Sequence, residues 1–231
     1  IEVFDDGDFE RSPCIQADER DDLSVTVSGA VFDHVTGEPI AGADVAVNTA
    51  WDINAEFPAD CPALATFATS SDGLFGPAKI EAGSRISPPI AILMVTGADL
   101  ADTASDQTLT CDEADCENLD HTIAPPSREL AAGWREELER GGMPGASTRG
   151  LVLFEFRESD GGPSAGVLPS ALFGGGEGLT PDIEVRFLEP DRVTLAPRGT
   201  SATTASGVAI MGLDEESVAE YVFGQRGDDT W

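Results

Sequence analysis

"GAVFDHVTGEPIAGADVAVNT", residues 29–49, holds two short stretches of alternating apolar and polar residues with a turn-rich middle between them. Alternation with a period of two is the pattern of a strand with one face buried. Gly29, Ala30 and Val31 close the first such run, which begins at Leu23 and passes through Val25 and Val27. Thr36-Gly37-Glu38-Pro39 then interrupts it. Glycine supplies a positive-φ position and proline fixes the exit, so the residues predict a hairpin-like connection. A second strand follows over Asp44–Thr49, with Val45 and Val47 on one face. Further on, Ser71-Asp72-Gly73 is a turn signal between two strand-like runs, and the apolar stretch at Ile90–Val95 has the length of a buried strand.

Residues 127–142, "SRELAAGWREELERGG", differ in kind. Ser127 is a candidate N-cap, although Leu130 stands where a capping box would place Glu or Gln. Glu129 puts a negative charge in the first turn, where the helix dipole favours it. Leu130, Trp134 and Leu138 fall on one helical stripe, and Gly141-Gly142 ends the pattern. The spacing predicts one short helix with Trp134 packed onto a neighbour.

After it the strand pattern restarts, and parts of it echo the first half. Gly29-Ala30-Val31 matches Gly150-Leu151-Val152, and Thr36–Gly42 resembles Gly161–Gly166 with one residue fewer. Val45 and Val47 align with Val185 and Phe187, after an insertion holding Gly174-Gly175-Gly176. Thr69–Phe75 aligns with Thr203–Ala209. Read as an internal repeat, this means two copies of one module; turn residues between any two strands also look alike.

The chain has 231 residues, 41% hydrophobic, so two domains of roughly 100 residues with packed cores are feasible. It carries 43 acidic against 13 basic residues, a net charge of −30, and Lys79 is its single lysine. Such a surface repels nucleic acid and anionic lipid, whose recognition needs clustered Lys and Arg. No apolar run approaches the roughly 20 residues needed to cross a bilayer, so membrane insertion by these residues is not expected. The acidity fits either solubility in a salty environment or binding of divalent cations.

Cys14, Cys61, Cys111 and Cys116 make an even set in acidic or proline-flanked sequence. Four cysteines permit three pairings; the context favours an exported protein with two disulfides, and Cys14–Cys61 with Cys111–Cys116 is the preferred pairing. Cys111, Cys116 and His121 could instead bind zinc, but a fourth ligand is not evident. Asp112, Asp115 and Asp120 are candidate calcium ligands, although the loop lacks the central glycine and terminal glutamate of an EF-hand. Gly162-Pro163-Ser164-Ala165-Gly166 matches a Gly-x-Ser-x-Gly elbow, but no helix is expected after it. His34 reads as an exposed turn residue. Trp51 and Phe57 could stack on a sugar or plug the end of a sandwich, Gly174–Gly178 lacks the lysine of a phosphate loop, and Arg226-Gly227-Asp228 is an integrin-type tripeptide.

Gly29-x-Val31-x-Asp33-x-x-Thr36-Gly37-x-Pro39-Ile40-x-Gly42-Ala43-x-Val45-x-Val47, followed by Asp72-Gly73-Leu74-Phe75, resembles the carboxypeptidase regulatory-like domain family. The resemblance covers residues 24–96 well and 149–224 less well. It implies an all-β chain: two tandem transthyretin-like (Ig-like) β-sandwiches joined by a short helix. The expected division is an acidic tail over 1–22, a first sandwich over 23–126, a helical linker over 127–148 and a divergent second sandwich over 149–231. It further implies a structural or binding module with no catalysis and no cofactor, in an exported bacterial surface protein or lipoprotein. The location is periplasmic, cell-surface or extracellular, with any lipid anchor carried before Ile1, and the partner is a protein or glycan. The alternative is a calcium- or carbohydrate-binding adhesion module. A monomer is expected.

Overall fold

A computed structural model describes residues 24–49, 63, 65–81, 91–104, 115–142, 151–168, 185–212, 225–226 and 229–230. The chain divides into two compact units, Ile1–Pro125 and Pro126–Trp231. The described residues are mostly β, with several sheets and one short helix.

In the first unit, β1 (Ser24–Val31), β4 (Leu74–Glu81) and β7 (Asp115–Ile123) form a sheet in the order β4-β1-β7. A second sheet has the order β3-β2-β5-β6, from β3 (Ala65–Ala68), β2 (Asp44–Thr49), β5 (Ala91–Thr96) and β6 (Thr103–Ala104). Strand alternation decides the core. Val25, Val27 and Val31 of the first sheet meet Val45, Val47, Leu93 and Val95 of the second, with Phe75, Ile80 and Ile123 completing the layer. Each buried side chain of this size contributes about 1.5–3 kcal/mol over leaving it exposed. Two sheets face to face across one apolar layer are a β-sandwich.

Two connections differ from the sequence reading. Neither the turn after β1 nor Ser71-Asp72-Gly73 closes a hairpin, because β1 and β4 lie in one sheet while β2 and β3 lie in the other. After a single bridge between Phe32 and Pro39, Gly42 at φ 71° redirects the chain to the opposite sheet. The acidic stretch ending at Asp120 was expected to be loop, but Asp115–Ile123 is strand. It runs parallel to β1, from Ser24 opposite Asp115 to Val31 opposite Ile123.

In the second unit, α1 (Arg128–Arg140) opens on Ser127, whose Oγ accepts from the Leu130 N–H at 3.1 Å. β8 (Leu151–Glu155), β10 (Val185–Phe187) and β11 (Val208–Gly212) form a sheet in the order β10-β11-β8, all antiparallel. β9 (Val167–Leu168), β12 (Gln225–Arg226) and β13 (Asp229–Thr230) form another, ordered β13-β12-β9. Trp134 and Leu138 of the helix pack against Val208, Ile210, Leu188 and Leu195. Phe187 and Ala209 lie in a separate apolar cluster with Phe154 and Phe156 packed against it. β11 is therefore covered on both faces, which is why it reads Val-Ala-Ile-Met without alternation. The Trp134 Nε1–H donates to the Val193 carbonyl at 2.7 Å, satisfying the indole as it is buried.

Candidate functional site

The two units share one corner, built hydrogen bond for hydrogen bond. In the first, the Val31 N–H donates to the Gly73 carbonyl and the Ile40 N–H to the Val31 carbonyl, each at 2.9 Å. In the second, the Phe156 N–H donates to the Gly207 carbonyl and the Ser164 N–H to the Phe156 carbonyl, each at 2.8 Å. A buried threonine pins each corner. Thr69 is 6% exposed; its Oγ1 donates to the Ile40 carbonyl at 2.6 Å and accepts from the Ala43 N–H at 2.9 Å. Thr203 is 5% exposed; its Oγ1 donates to the Ser164 carbonyl at 2.8 Å and accepts from the Val167 N–H at 2.9 Å. The Gly42 and Gly166 N–H groups donate to the carbonyls of these threonines, at 2.9 and 2.8 Å.

The glycines correspond as well. Gly73 (φ 72°) and Gly207 (φ 67°) adopt the left-handed conformation, and a Cβ on either would meet the Pro39 or Pro163 Cβ at 3.0 Å. The alignment of Thr36–Gly42 with Gly161–Gly166 and of Thr69–Phe75 with Thr203–Ala209 therefore coincides with equivalent hydrogen bonds. Two other alignments shift. Val31 corresponds to Phe156, not Val152, because both donate to the positive-φ glycine. Ala43 corresponds to Val167, so β2 matches β9; Val185 and Phe187 belong to β10, which pairs with β11 instead.

Ser164 is thus the counterpart of Ile40. It is 2% exposed, its Oγ donates to Glu158 Oε1 at 2.9 Å, and a strand follows it. An elbow presents its hydroxyl on a strand-to-helix turn; here the hydroxyl is buried and strand follows it. His34, expected at the surface, is buried at 2% while its neighbour Val35 faces out at 38%. His121 sits on β7 opposite Gly29. Burial lowers its pKa from the usual 6.5, against a smaller upward pull from the Asp120 carboxylate.

Of the calcium candidates, Asp112 lies outside the described residues. Asp115 and Asp120 lie on β7, with Asp115 opposite Ser24 and Asp120 at φ 65° beside the register shift. Cys116 is on β7 opposite Val25, while Cys14, Cys61 and Cys111 lie outside the described residues. Trp51, Phe57, Gly174–Gly178 and the Gly227-Asp228 part of the tripeptide do so too; Arg226 ends β12. Among the described residues no three of His, Cys, Asp or Glu are grouped to hold a metal, and no helix is long and apolar enough to cross a membrane.

The sequence reading missed two polar features. In Asp33-His34-Val35-Thr36 and Asp191-Arg192-Val193-Thr194 the aspartate caps the same two amides that follow it. Asp33 Oδ1 accepts from the Val35 and Thr36 N–H groups at 3.0 and 2.7 Å, and Asp191 Oδ1 from those of Val193 and Thr194, both at 2.9 Å. Desolvation pushes the Asp33 carboxyl up, but the bonds from Thr36 and Val35 together outweigh it and bring it below 3.8. The Thr194 hydroxyl, then the Thr194 and Val193 amides, lower Asp191. The recurrence of Asp-x-Val-Thr was the available signal. The second feature is Glu155, which accepts from Arg157 at 2.8 Å and also pairs with Arg192.

These observations define a mostly-β protein of sandwich type. No family model matches the chain and no curated protein matches it. Solved structures do. The shaft pilin SpaA from Lactobacillus rhamnosus GG matches over 90% of this chain and 88% of its own, at 13% identity and a TM-score of 0.29. (S)-Allantoin synthase matches at 12% identity and a TM-score of 0.30 over 46% of this chain, which spans 42% of that enzyme. Hydroxyquinol 1,2-dioxygenase from Pseudomonas putida DLL-E4 matches at 13% and 0.30, over 55% of this chain and 65% of its own. The expectation that the chain is no enzyme is corrected here: enzymes stand among its structural matches beside a pilin.

Proposed function

We propose that the chain is a structural or binding module of an exported surface protein, built from two transthyretin-like β units in series. The observation that carries this reading is the shared corner, with the same buried threonine and the same positive-φ glycines in each unit. Repeated, hydrogen-bonded corners hold strand ends rigidly and leave loops free to vary, which suits a spacer or a presenting scaffold. The even cysteine set and the acid-rich surface support an exported location. The partner is a protein or glycan.

The test is limited proteolysis of intact cells that make the protein. Release of its peptides without lysis is the expected result. Peptides appearing only after lysis would overturn the exported reading.

A further inference from the structure

α1 is the first described element of the second unit, and it is held differently from the strands. A strand is bound through its backbone, residue by residue. A helix spends its backbone groups within itself, so it docks through side chains. Ala131, Trp134 and Leu138 are the buried ones, at 4%, 2% and 1% exposure. Spacings of three and four set them in one file along the helix. Ahead of them the chain makes one bridge, a single residue long, at Ser127.

The middle of that file carries a catch. The Trp134 indole donates to the Val193 carbonyl at 2.7 Å, and that carbonyl sits on a braced connection. Leu188 and Leu195 close the connection with a bridge. Inside it the Glu189 N–H donates to the Thr194 carbonyl and the Arg192 N–H to the Glu189 carbonyl, both at 2.8 Å. Asp191 caps the Val193 and Thr194 amides, and Arg192 pairs with Glu155 at the end of β8. At the far end of the helix an added Cβ on Gly141 would lie 2.4 Å from Arg198 Nη2, so the guanidinium lies against the last turn.

The sheet has supports of its own. β10, β11 and β8 are joined by antiparallel ladders. The threonine corner is built from residues between Phe156 and Gly207. Phe187, Ala196 and Ala209, with Phe154 and Phe156, form an apolar cluster separate from the one that Trp134 and Leu138 enter.

We propose that α1 is a clasp that tension along the chain releases while the sheet stays folded. A pull arriving from the first unit reaches α1 before β8 or any later strand. It acts at the N-terminal end of the helix, so Ala131, Trp134 and Leu138 leave in turn rather than together. Trp134 sets the force, because its ring and its hydrogen bond are lost in one event. The Val193 carbonyl stays with the sheet, so the helix docks again when tension falls. This inference rests on the reading of the chain as two units in series, but not on its exported location.

The test pulls the full chain by its two ends in optical tweezers. The expected record holds a short step of about 25 Å, the length that 13 helical residues gain on full extension, and a separate unfolding of the sheet. Trp134→Phe keeps an aromatic ring and removes the donor. It is expected to lower the force of the short step and to leave the force of the sheet unchanged. Unfolding of the second unit in a single step, or a fall in both forces, would overturn the proposal. Hydrogen exchange on the unmodified chain gives a reading that needs no variant. The Arg135 and Leu138 amides are expected to exchange about a hundredfold faster than the Ala209 and Ile210 amides of β11, through one common opening of the helix. Equal protection of helix and strand would overturn it as well. Neither measurement depends on where the protein resides, so failure here and failure of the surface reading are distinguishable.

Discussion

At the scale of single residues, the two corners carry equivalent bonds through different side chains. Gly29 faces Phe75 across β1 and β4, and a Cβ on Gly29 would lie 2.6 Å from the Phe75 ring. At the equivalent pair in the second unit, Phe154 faces Ala209. Large and small have changed places across one strand pair, which keeps the volume between the strands while altering its chemistry. The threonines have no such freedom, because each hydroxyl both donates and accepts in a buried place. Thr69→Val and Thr203→Val each leave a buried amide and a carbonyl short of a partner, so each is expected to cost about 2 kcal/mol. Chemical denaturation of the two variants checks this, and a loss below about 0.5 kcal/mol would show that the hydroxyl does not pin the corner. His121 makes stability depend on pH. Its folded-state pKa lies below 6.5, so the unfolded chain takes up the proton first as the solution is acidified. The contribution of His121 is fully present above pH 6.5 and is lost as pH falls toward the folded value. Asp33, also lowered, adds a further loss below 3.8. Melting temperatures of the unmodified chain and of His121→Gln should separate between pH 8 and pH 5; parallel curves would remove His121 from the account.

At the scale of elements, what could be read from the sequence follows from how each element is covered. β1, β2 and β4 each bury one face in the sandwich, so their alternation was visible, and α1 was visible from its stripe of Leu130, Trp134 and Leu138. β7 was not. Its acidic run resembles a loop, and Asp120 at φ 65° breaks the alternation where the register to β1 shifts between Val27 and Gly29. The reversal at Thr36–Pro39 was recognised, but its destination was not, since a turn signal does not say which sheet the chain enters next. The corner was visible as matching Thr-to-Gly spacings; the role of the threonine hydroxyl was not, because a pattern of types carries no hydrogen bonds. The helix also exposes a weakness in its own sequence. Gly133 sits mid-helix with open space where a Cβ would go. Gly133→Ala should therefore raise stability by about 0.5–1 kcal/mol, read as a higher melting temperature. A fall would mean that the helix packs more tightly at that point than the geometry indicates.

At the scale of the whole molecule, charge is the dominant feature that no single element explains. Residues 1–125 carry 25 acidic and 4 basic residues, and residues 126–231 carry 18 and 9. The first unit therefore holds most of the excess, and its described strands have Lys79 as their single cationic side chain. In the second unit arginines meet carboxylates locally, as Arg157 and Arg192 do at Glu155 and Arg140 does at Glu136. Surface pairs of this kind contribute little individually, but a large excess of like charge on one small domain repels at long range and opposes the compact state. Salt at about 0.15 M shortens that repulsion to about 8 Å, and at 1 M to about 3 Å. Two units with different excess charge should therefore respond differently. Raising sodium chloride from low concentration to 1 M is expected to increase the melting temperature of the first unit by several degrees and that of the second by less. Scanning calorimetry reads both transitions in one chain. Equal shifts would mean that the acids of the first unit are neutralised by something more specific than counter-ions, and a repeat with calcium at low ionic strength would then identify a bound cation by a far larger shift than its contribution to ionic strength explains.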